Sequence, residues 1–191
     1  MAYKLDTARI LIVDDMAPML TLCKSILNIF GFKHVFTASN GEEAFEILCK
    51  EDPDLVITDW MMEPMDGLEF TKKVRRDPLV PNPYVPIIMM TGFSSRLRVE
   101  SARDKGITEF LVKPFSSRDL YNRVVQIIEK PRQFVEAGEF FGPDRRRKRG
   151  KDYTGARRRG NDEKKKVEPK TQEQKLAVDV LRKLREEAKN V

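Results

Sequence analysis

Five polar residues in this chain each follow a short apolar run, and their types suit metal and phosphoryl chemistry. They are three aspartates, a threonine and a lysine: Asp14, Asp15, Asp59, Thr91 and Lys113. A short apolar run without alternation predicts a strand that is buried on both faces, as in a parallel sheet. Functional groups in open parallel sheets collect at the carboxyl ends of the strands. The sequence therefore predicts that these five side chains lie at one sheet edge.

These residue types indicate what such an edge could do. Neighbouring carboxylates repel one another, and a divalent cation such as Mg²⁺ can hold them together. A carboxylate can also act as a nucleophile and accept a phosphoryl group as an aspartyl phosphate. The phosphoryl oxygens then need positive charge and hydrogen-bond donors, which Lys113 and Thr91 can supply. A plain Mg²⁺ or Ca²⁺ site is the alternative, but it leaves Thr91 and Lys113 without a role.

The elements that would position these residues alternate between strand and helix five times over residues 8–130. Predicted strands cover 9–13, 34–38, 54–58, 85–90 and 109–112, and a helix follows each strand. Asn40, Asp66 and Ser116 predict helix starts, while Gly31 and Gly106 predict helix ends. The fourth predicted helix covers 95–105. Short connections in this order predict an α/β fold, a doubly wound (βα)5 sandwich with helices on both faces of a parallel sheet.

The charge of the chain is concentrated in its last third. Residues 1–130 hold 17 Lys and Arg against 19 Asp and Glu, a net charge of −2. Residues 131–191 hold 19 against 11, a net charge of +8. The basic runs of this tail are Arg145, Arg146, Arg147, Lys148, Arg149, Arg157, Arg158 and Arg159. A basic tail on a near-neutral domain suggests that the tail binds a polyanionic partner or an anionic membrane surface, or that it keeps the protein in solution.

The tail divides into two parts by composition. Apolar residues nearly vanish between residues 142 and 170, which predicts a basic, disordered linker over 131–170. Residues 171–190 carry apolar side chains at helical spacing, and we expect an amphipathic helix over Gln172–Lys189. Such a helix is marginal alone in water, so it should dock on the first domain, on a second copy or on a partner.

Cysteine content and hydropathy exclude several classes of protein. The two cysteines, Cys23 and Cys49, form neither a disulfide framework nor a metal-binding spacing. The first residues lack the apolar core of a signal peptide, and no segment approaches the roughly 20 apolar residues that span a bilayer. We therefore expect a cytoplasmic protein without a membrane span.

Together, these motifs resemble the receiver domain of bacterial two-component response regulators, including the single-domain chemotaxis type. The matching pieces are the Asp14-Asp15 pair, the segment from Asp59 to Gly67, Thr91-Gly92 and Lys113-Pro114-Phe115. The resemblance covers residues 7–130. It implies a five-stranded sheet in the order 2-1-3-4-5 and a signalling protein rather than a classical enzyme, one that assists its own phosphotransfer and slow dephosphorylation.

The resemblance also implies a role for each matching residue. Asp59 would accept the phosphoryl group. Mg²⁺, or Mn²⁺ in its place, would be held by Asp14, Asp15, Asp59 and the backbone carbonyl of Met61. Lys113 and Thr91 would contact the phosphoryl oxygens, Phe110 would be the switch aromatic, and Pro114 would follow a cis peptide bond.

Three positions depart from the usual pattern of the family. Glu63 stands where proline is usual, with Pro64 one residue later, and Gly92 stands where alanine is common. The switch position holds Phe110, which cannot donate a hydrogen bond as tyrosine does. Met61 and Phe93 occupy the positions that set phosphoryl lifetime, and neither can orient an attacking water. We therefore expect slow self-dephosphorylation.

Two kinds of output remain open. In the first, phosphorylation by a sensor histidine kinase or phosphotransfer protein switches contacts with a downstream protein target. The fourth predicted helix, the fifth strand and the fifth predicted helix could then form a homodimer face. In the second, the basic tail binds nucleic acid. The first is favoured because the sequence has no DNA-reading motif. Arg145 and Arg149 also match the spacing of PilZ-type cyclic-dinucleotide binders, but the barrel that should follow is absent.

Overall fold

A five-stranded parallel sheet forms the centre of the protein in this computed structural model, which describes residues 5–92, 105–137, 140–144 and the backbone of 165–166. Its strands are β1 (Arg9–Val13), β2 (His34–Ala38), β3 (Leu55–Asp59), β4 (Ile87–Thr91) and β5 (Glu109–Val112). The helices in the described residues are α1 (Ala17–Ile29), α2 (Gly41–Glu51), α3 (Gly67–Arg76) and α4 (Ser117–Glu129).

The strand order is β2-β1-β3-β4-β5, and every pairing is parallel. This confirms the predicted fold class and the predicted order. The fourth strand begins two residues later than expected, at Ile87, because Pro86 has no N–H to give to the ladder. The fourth predicted helix, 95–105, lies outside the described residues, so α4 here is the fifth helix of the sequence analysis.

Alternate residues of β1 explain why helices cover both faces of the sheet. Ile10 and Ile12 are fully buried and pack in one cluster with α1 and α4. Leu11 and Val13 are equally buried and pack in a second cluster with α2 and α3. A strand that is apolar on both faces needs cover on both, as the uninterrupted apolar run predicted.

Capping geometry confirms three predicted helix starts in the described residues. The Asn40 side chain accepts hydrogen bonds from the Glu42 and Glu43 N–H groups in the first turn of α2. The Asp66 side chain accepts one from the Glu69 N–H in the first turn of α3. Ser116 and Asp119 form a reciprocal capping box at the start of α4. Gly31, just after the end of α1, has a φ of 102°, which glycine adopts at low cost. Gly106 has a φ of 97°, but the helix that it was predicted to end lies outside the described residues.

The chain continues beyond α4 as a hairpin, which the sequence analysis did not predict. Strands β6 (Phe134–Ala137) and β7 (Phe140–Pro143) pair antiparallel, and the two-residue β8 (Lys165–Lys166) pairs with the other side of β6. The expectation of a disordered linker over 131–170 is therefore wrong for these strands. The phenylalanines of the hairpin contribute apolar area that the net charge of the segment obscured. The predicted helix 171–190 lies outside the described residues.

Two other expectations concern cysteines and membranes. Cys23 is buried and Cys49 is half-buried, and both are free thiols. Within the described part of the chain, no helix is long and apolar enough to cross a bilayer.

Candidate functional site

Three of the predicted site residues meet at the carboxyl ends of β1, β3 and β5. Asp14 directly follows β1, Asp59 ends β3, and Lys113 directly follows β5. The Lys113 ammonium lies 2.9 Å from an Asp14 carboxylate oxygen and 2.7 Å from an Asp59 carboxylate oxygen. Residues that are up to 99 positions apart in the chain thus form one charged cluster.

The cluster is largely withdrawn from water. Asp14 is fully buried and Asp59 is 9% exposed. Burial lowers the pKa of Lys113, but hydrogen bonds and charge from Asp59 and Asp14 outweigh that effect and raise the pKa above its ordinary value. The ammonium is therefore charged at neutral pH, with two carboxylates aimed at it.

Backbone hydrogen bonds fix the two carboxylates in place. The second oxygen of Asp14 accepts a hydrogen bond from the Met16 N–H at 2.9 Å. The second oxygen of Asp59 accepts one from the Met61 N–H at 3.0 Å. Each carboxylate therefore uses one oxygen for the loop that follows its strand and presents the other to Lys113.

Strand register brings Thr91 to the same edge. Thr91, at the end of β4, pairs with Val112 of β5, and its carbonyl accepts a hydrogen bond from the Lys113 N–H at 2.8 Å. Thr91 is 1% exposed. The peptide bond between Lys113 and Pro114 is cis. The strand pair thus places the threonine and the lysine side by side at the end of the sheet.

Gly67 lets the start of α3 lie close to the end of β3, next to the site. A Cβ at this residue would lie 2.1 Å from the Asp59 carbonyl oxygen, and the Gly67 N–H donates to the Trp60 carbonyl at 2.9 Å. Only glycine allows the start of α3 to approach the end of β3 so closely. This role of Gly67 was not predicted from the sequence, although the residue lies within the matched Asp59 segment.

The predicted metal ligands are only partly brought together. Asp15 is exposed beside the cluster, and within the described residues no three acidic, histidine or cysteine side chains converge on one point. The donor set nevertheless fits Mg²⁺ in its chemistry, because Asp14 and Asp59 carry hard carboxylate oxygens, and both lie close enough together to contact the Lys113 ammonium. Asp15 and the Met61 carbonyl complete the set of residues that would hold the ion.

The predicted switch residue lies in a separate cluster between the site and the far end of β5. Phe110 is 8% exposed and packs with Met89 and Ile107, with Trp60 and Leu68 partly buried against them. Met61 is 63% exposed, next to Asp59 in the chain. The predicted basic residues Arg145–Arg149 and Arg157–Arg159 lie outside the described residues.

A polar cluster at the opposite end of the sheet was missed by the sequence analysis. Arg75, Glu109 and Arg132 are all largely buried there. Arg75 stands in the last turn of α3, where a basic residue normally faces solvent. The sequence offered one sign of this cluster, which is that a charged residue, Glu109, begins a buried strand.

Comparison with known proteins agrees with this geometry. The response regulator receiver domain family matches residues 10–125, more than half of the chain. The chain is 34% identical to chemotaxis protein CheY-3 of Vibrio cholerae over 122 residues, which cover 64% of this chain and 92% of that protein. It is 36% identical to the CheY homolog of Campylobacter jejuni over 121 residues, which cover 63% of this chain and 92% of that protein.

Solved structures give the same result. Chemotaxis response regulator CheY4 of Vibrio cholerae superposes with a TM-score of 0.59 at 32% identity, covering 63% of this chain and 98% of that one. A putative response regulator from Chloroflexus aurantiacus gives 0.57 at 32% identity, covering 63% and 96%. The buried Asp14–Lys113–Asp59 cluster, the strand order and these matches lead to one conclusion: the chain belongs to the response regulator receiver domain family.

Proposed function

We propose that this protein is a two-component response regulator whose Asp59 accepts a phosphoryl group from a histidine kinase or phosphotransfer protein. The observation that carries the proposal is the Lys113 ammonium held between Asp59 and the buried Asp14, at 2.7 and 2.9 Å. An ammonium in this position can neutralise a phosphoryl group added to Asp59.

The chain's own residues account for the steps of the transfer. A carboxylate oxygen of Asp59 attacks phosphorus, and the bond from phosphorus to the donor's imidazole nitrogen breaks as the new bond from oxygen to phosphorus forms. Lys113 then pairs with the phosphoryl oxygens, and the Thr91 hydroxyl donates a hydrogen bond to one of them. The Met61 N–H, 3.0 Å from Asp59, orients the carboxylate before the attack.

Magnesium would be held at this site by Asp14, Asp15, Asp59 and the carbonyl of Met61. When bound, the ion supplies positive charge that draws electron density from the transferring phosphoryl group. Asp14 has no exposed surface, so its carboxylate needs Lys113 or a cation as a partner. A phosphoryl group on Asp59 would compete with Asp14 for the Lys113 ammonium that both carboxylates contact, so we expect the transfer to depend on a divalent cation, either Mg²⁺ or Mn²⁺.

A small-molecule phosphodonor tests the proposal without the cognate kinase. The full chain is incubated with the donor and Mg²⁺, and intact mass and oligomeric state are measured. We expect one added phosphoryl group on the native chain. None should be added when chelator is in excess, and none should be added to Asp59→Asn. Asp54→Asn is the matched control. Asp54 precedes β3, at the opposite end of the strand from Asp59, and its carboxylate accepts a hydrogen bond from the Arg9 N–H. Equal labelling of the native chain and Asp59→Asn would refute the proposed acceptor.

The charge separation favours one second function, a phosphorylation-controlled nucleic-acid regulator. Residues 131–191 carry a net charge of +8. Lysine and arginine bind nucleic-acid phosphates, and that affinity falls steeply with salt. A gel shift of the full chain at low salt, with and without phosphodonor, tests this function. If the mobility of the nucleic acid is unchanged both with and without phosphodonor, this second function is excluded and a protein target remains as the output.

A further inference from the structure

The hairpin beyond α4 is attached to β5 by a buried ion pair. Arg132 lies 3.0 Å from the Glu109 carboxylate, and the two side chains are only 11% and 5% exposed. Gln126 of α4 also donates to this carboxylate, at 3.3 Å, while Arg132 donates to the Asp144 carbonyl at 3.2 Å. We call Glu109, Gln126 and Arg132 the hairpin anchor. Through it, the first residue of β5 contacts both ends of the hairpin.

Arg75 fastens the same hairpin from α3. Its guanidinium donates to the carbonyls of Gly106, Pro83 and Val85 at 2.7 to 3.1 Å, and it lies 5.1 Å from the centre of the Phe134 ring. Burial lowers the pKa of Arg75 to about 9, which still leaves the guanidinium charged at neutral pH. The hairpin ring therefore covers a buried charge of the receiver domain.

Aromatic contacts complete the docked surface. Phe134 and Phe141 of the hairpin lie 5.2 and 5.3 Å from Tyr84, in edge-to-face geometry. A Cβ on Gly142 would lie 2.8 Å from the Gly106 Cα, so the hairpin backbone lies directly against the turn before β5. Any shift of β5 or of that turn would therefore change the contacts of the hairpin.

The strand pair β4–β5 connects this surface to the acidic site. At one end, Thr91 and Lys113 are joined by a backbone hydrogen bond of 2.8 Å. At the other end, Ile87 and Thr108 exchange two hydrogen bonds of 3.0 Å. Phe110 lies directly after Glu109, and it packs with Ile107, directly after Gly106. The two strands thus carry site groups at one end and hairpin contacts at the other.

We propose that phosphorylation of Asp59 changes the docking of the β6–β7 hairpin, and that the Glu109–Arg132 ion pair transmits the change from β5. This inference rests on the proposed phosphorylation of Asp59. A phosphoryl group that binds Lys113 and Thr91 would displace the carboxyl ends of β4 and β5, because these two residues lie there. The hairpin anchor lies at the amino end of the same strands and would transmit that displacement to the hairpin.

Hydrogen–deuterium exchange of the full chain tests the coupling. Exchange is measured by mass with and without a small-molecule phosphodonor and Mg²⁺, and the intact mass of each sample reports its phosphorylation. We expect amide exchange in Phe134–Ala137 and 140–144 to change about fivefold or more on phosphorylation. Helix α2, Gly41–Glu51, should stay within experimental error, because it packs in the cluster that contains neither β5 nor the hairpin.

Variants of the anchor decide whether the ion pair is the connection. In Glu109→Gln and in the double variant Glu109→Gln/Arg132→Gln, the hairpin response should be lost while Asp59 is still phosphorylated. The double variant leaves no unpaired buried charge, so it guards against simple misfolding. Arg118→Gln, at an exposed residue of α4, is the matched control and should keep the response.

Three other outcomes would overturn the inference. A phosphorylated native chain with unchanged exchange in the hairpin removes the coupling but keeps the proposed function. A response that persists in the double variant removes the ion pair as its route. A chain that accepts no phosphoryl group loses the proposed function and the inference together.

Discussion

Lys113 is the residue on which the two buried carboxylates of the site depend. Asp14 has no exposed surface, and its contacts in the site are the Met16 N–H and the Lys113 ammonium. A buried carboxylate that loses its countercharge keeps the full cost of leaving water. The same ammonium therefore serves the stability of the resting fold and the charge of the proposed phosphorylated state.

The change Lys113→Met should lower the free energy of unfolding by roughly 3 kcal/mol, because it leaves Asp14 buried without its partner. Urea denaturation of the full chain measures this loss. Lys50→Met is the control, since Lys50 is 82% exposed in its pair with Glu51, and that change should cost less than about 0.5 kcal/mol. Equal midpoints for Lys113→Met and the native chain would contradict the role given to this ion pair.

The raised pKa of Lys113 sets the pH range of that contribution. A group whose pKa is higher in the folded than in the unfolded state stabilises fully below the unfolded value. The contribution of Lys113 should therefore persist at neutral pH and disappear only as pH rises above its ordinary value of 10.5. Comparing native and Lys113→Met unfolding between neutral and strongly alkaline pH tests this. A difference that vanished by mildly alkaline pH would be inconsistent with the raised pKa.

Met61 should make the phosphorylated state long-lived. Its side chain is 63% exposed beside Asp59 and has no group that orients an attacking water. Loss of label from the phosphorylated chain should take minutes or longer, and Met61→Asn should shorten it because an amide can hold a water by hydrogen bonds. Leu79→Asn, at a side chain that is 73% exposed, is the control. A half-life of seconds for the native chain would contradict the expectation.

Among the elements, the junction of β3 and α3 is the most tightly constrained. Gly67→Ala would bring a methyl group to 2.1 Å from the Asp59 carbonyl oxygen, so α3 or the end of β3 must move. We expect a lower melting temperature and weaker phosphorylation of Asp59. Gly92→Ala is the stability control, because a Cβ there meets no described atom within 4 Å. Equal melting temperatures for both alanine variants would show that the contact does not matter.

Elements whose signals are local could be predicted from the sequence, and those held by distant contacts could not. Strand β1 and the capped start of α2 follow from an apolar run and from Asn40. The convergence of Asp14, Asp59 and Lys113 follows from the rule that parallel strands end at a common edge. Strands β6 and β7 depend on contacts with Tyr84 and Arg75, which no local pattern reveals.

At the scale of the whole molecule, the receiver fold extends past the region shared with its relatives. The family match ends at residue 125, whereas Phe134 and Phe141 dock on the domain beyond that point. Phe134→Ala should lower the free energy of unfolding by about 2 kcal/mol, less than a fully buried ring because Phe134 is partly exposed. Leu79→Ala, at a side chain that is 73% exposed, should cost less than about 0.5 kcal/mol. Equal urea midpoints for both variants would contradict the docking.

The most direct test of the central claim is to locate the phosphoryl group on the chain. The protein is phosphorylated with a small-molecule donor and Mg²⁺ and reduced with borohydride, which converts an aspartyl phosphate to homoserine. The peptides are then mapped by mass. Homoserine should appear at position 59 alone, because Asp59 is the carboxylate that lies 2.7 Å from Lys113 at the end of β3. Homoserine at Asp14 or Asp15, or at no aspartate, would contradict the assignment of Asp59 as the phosphoacceptor.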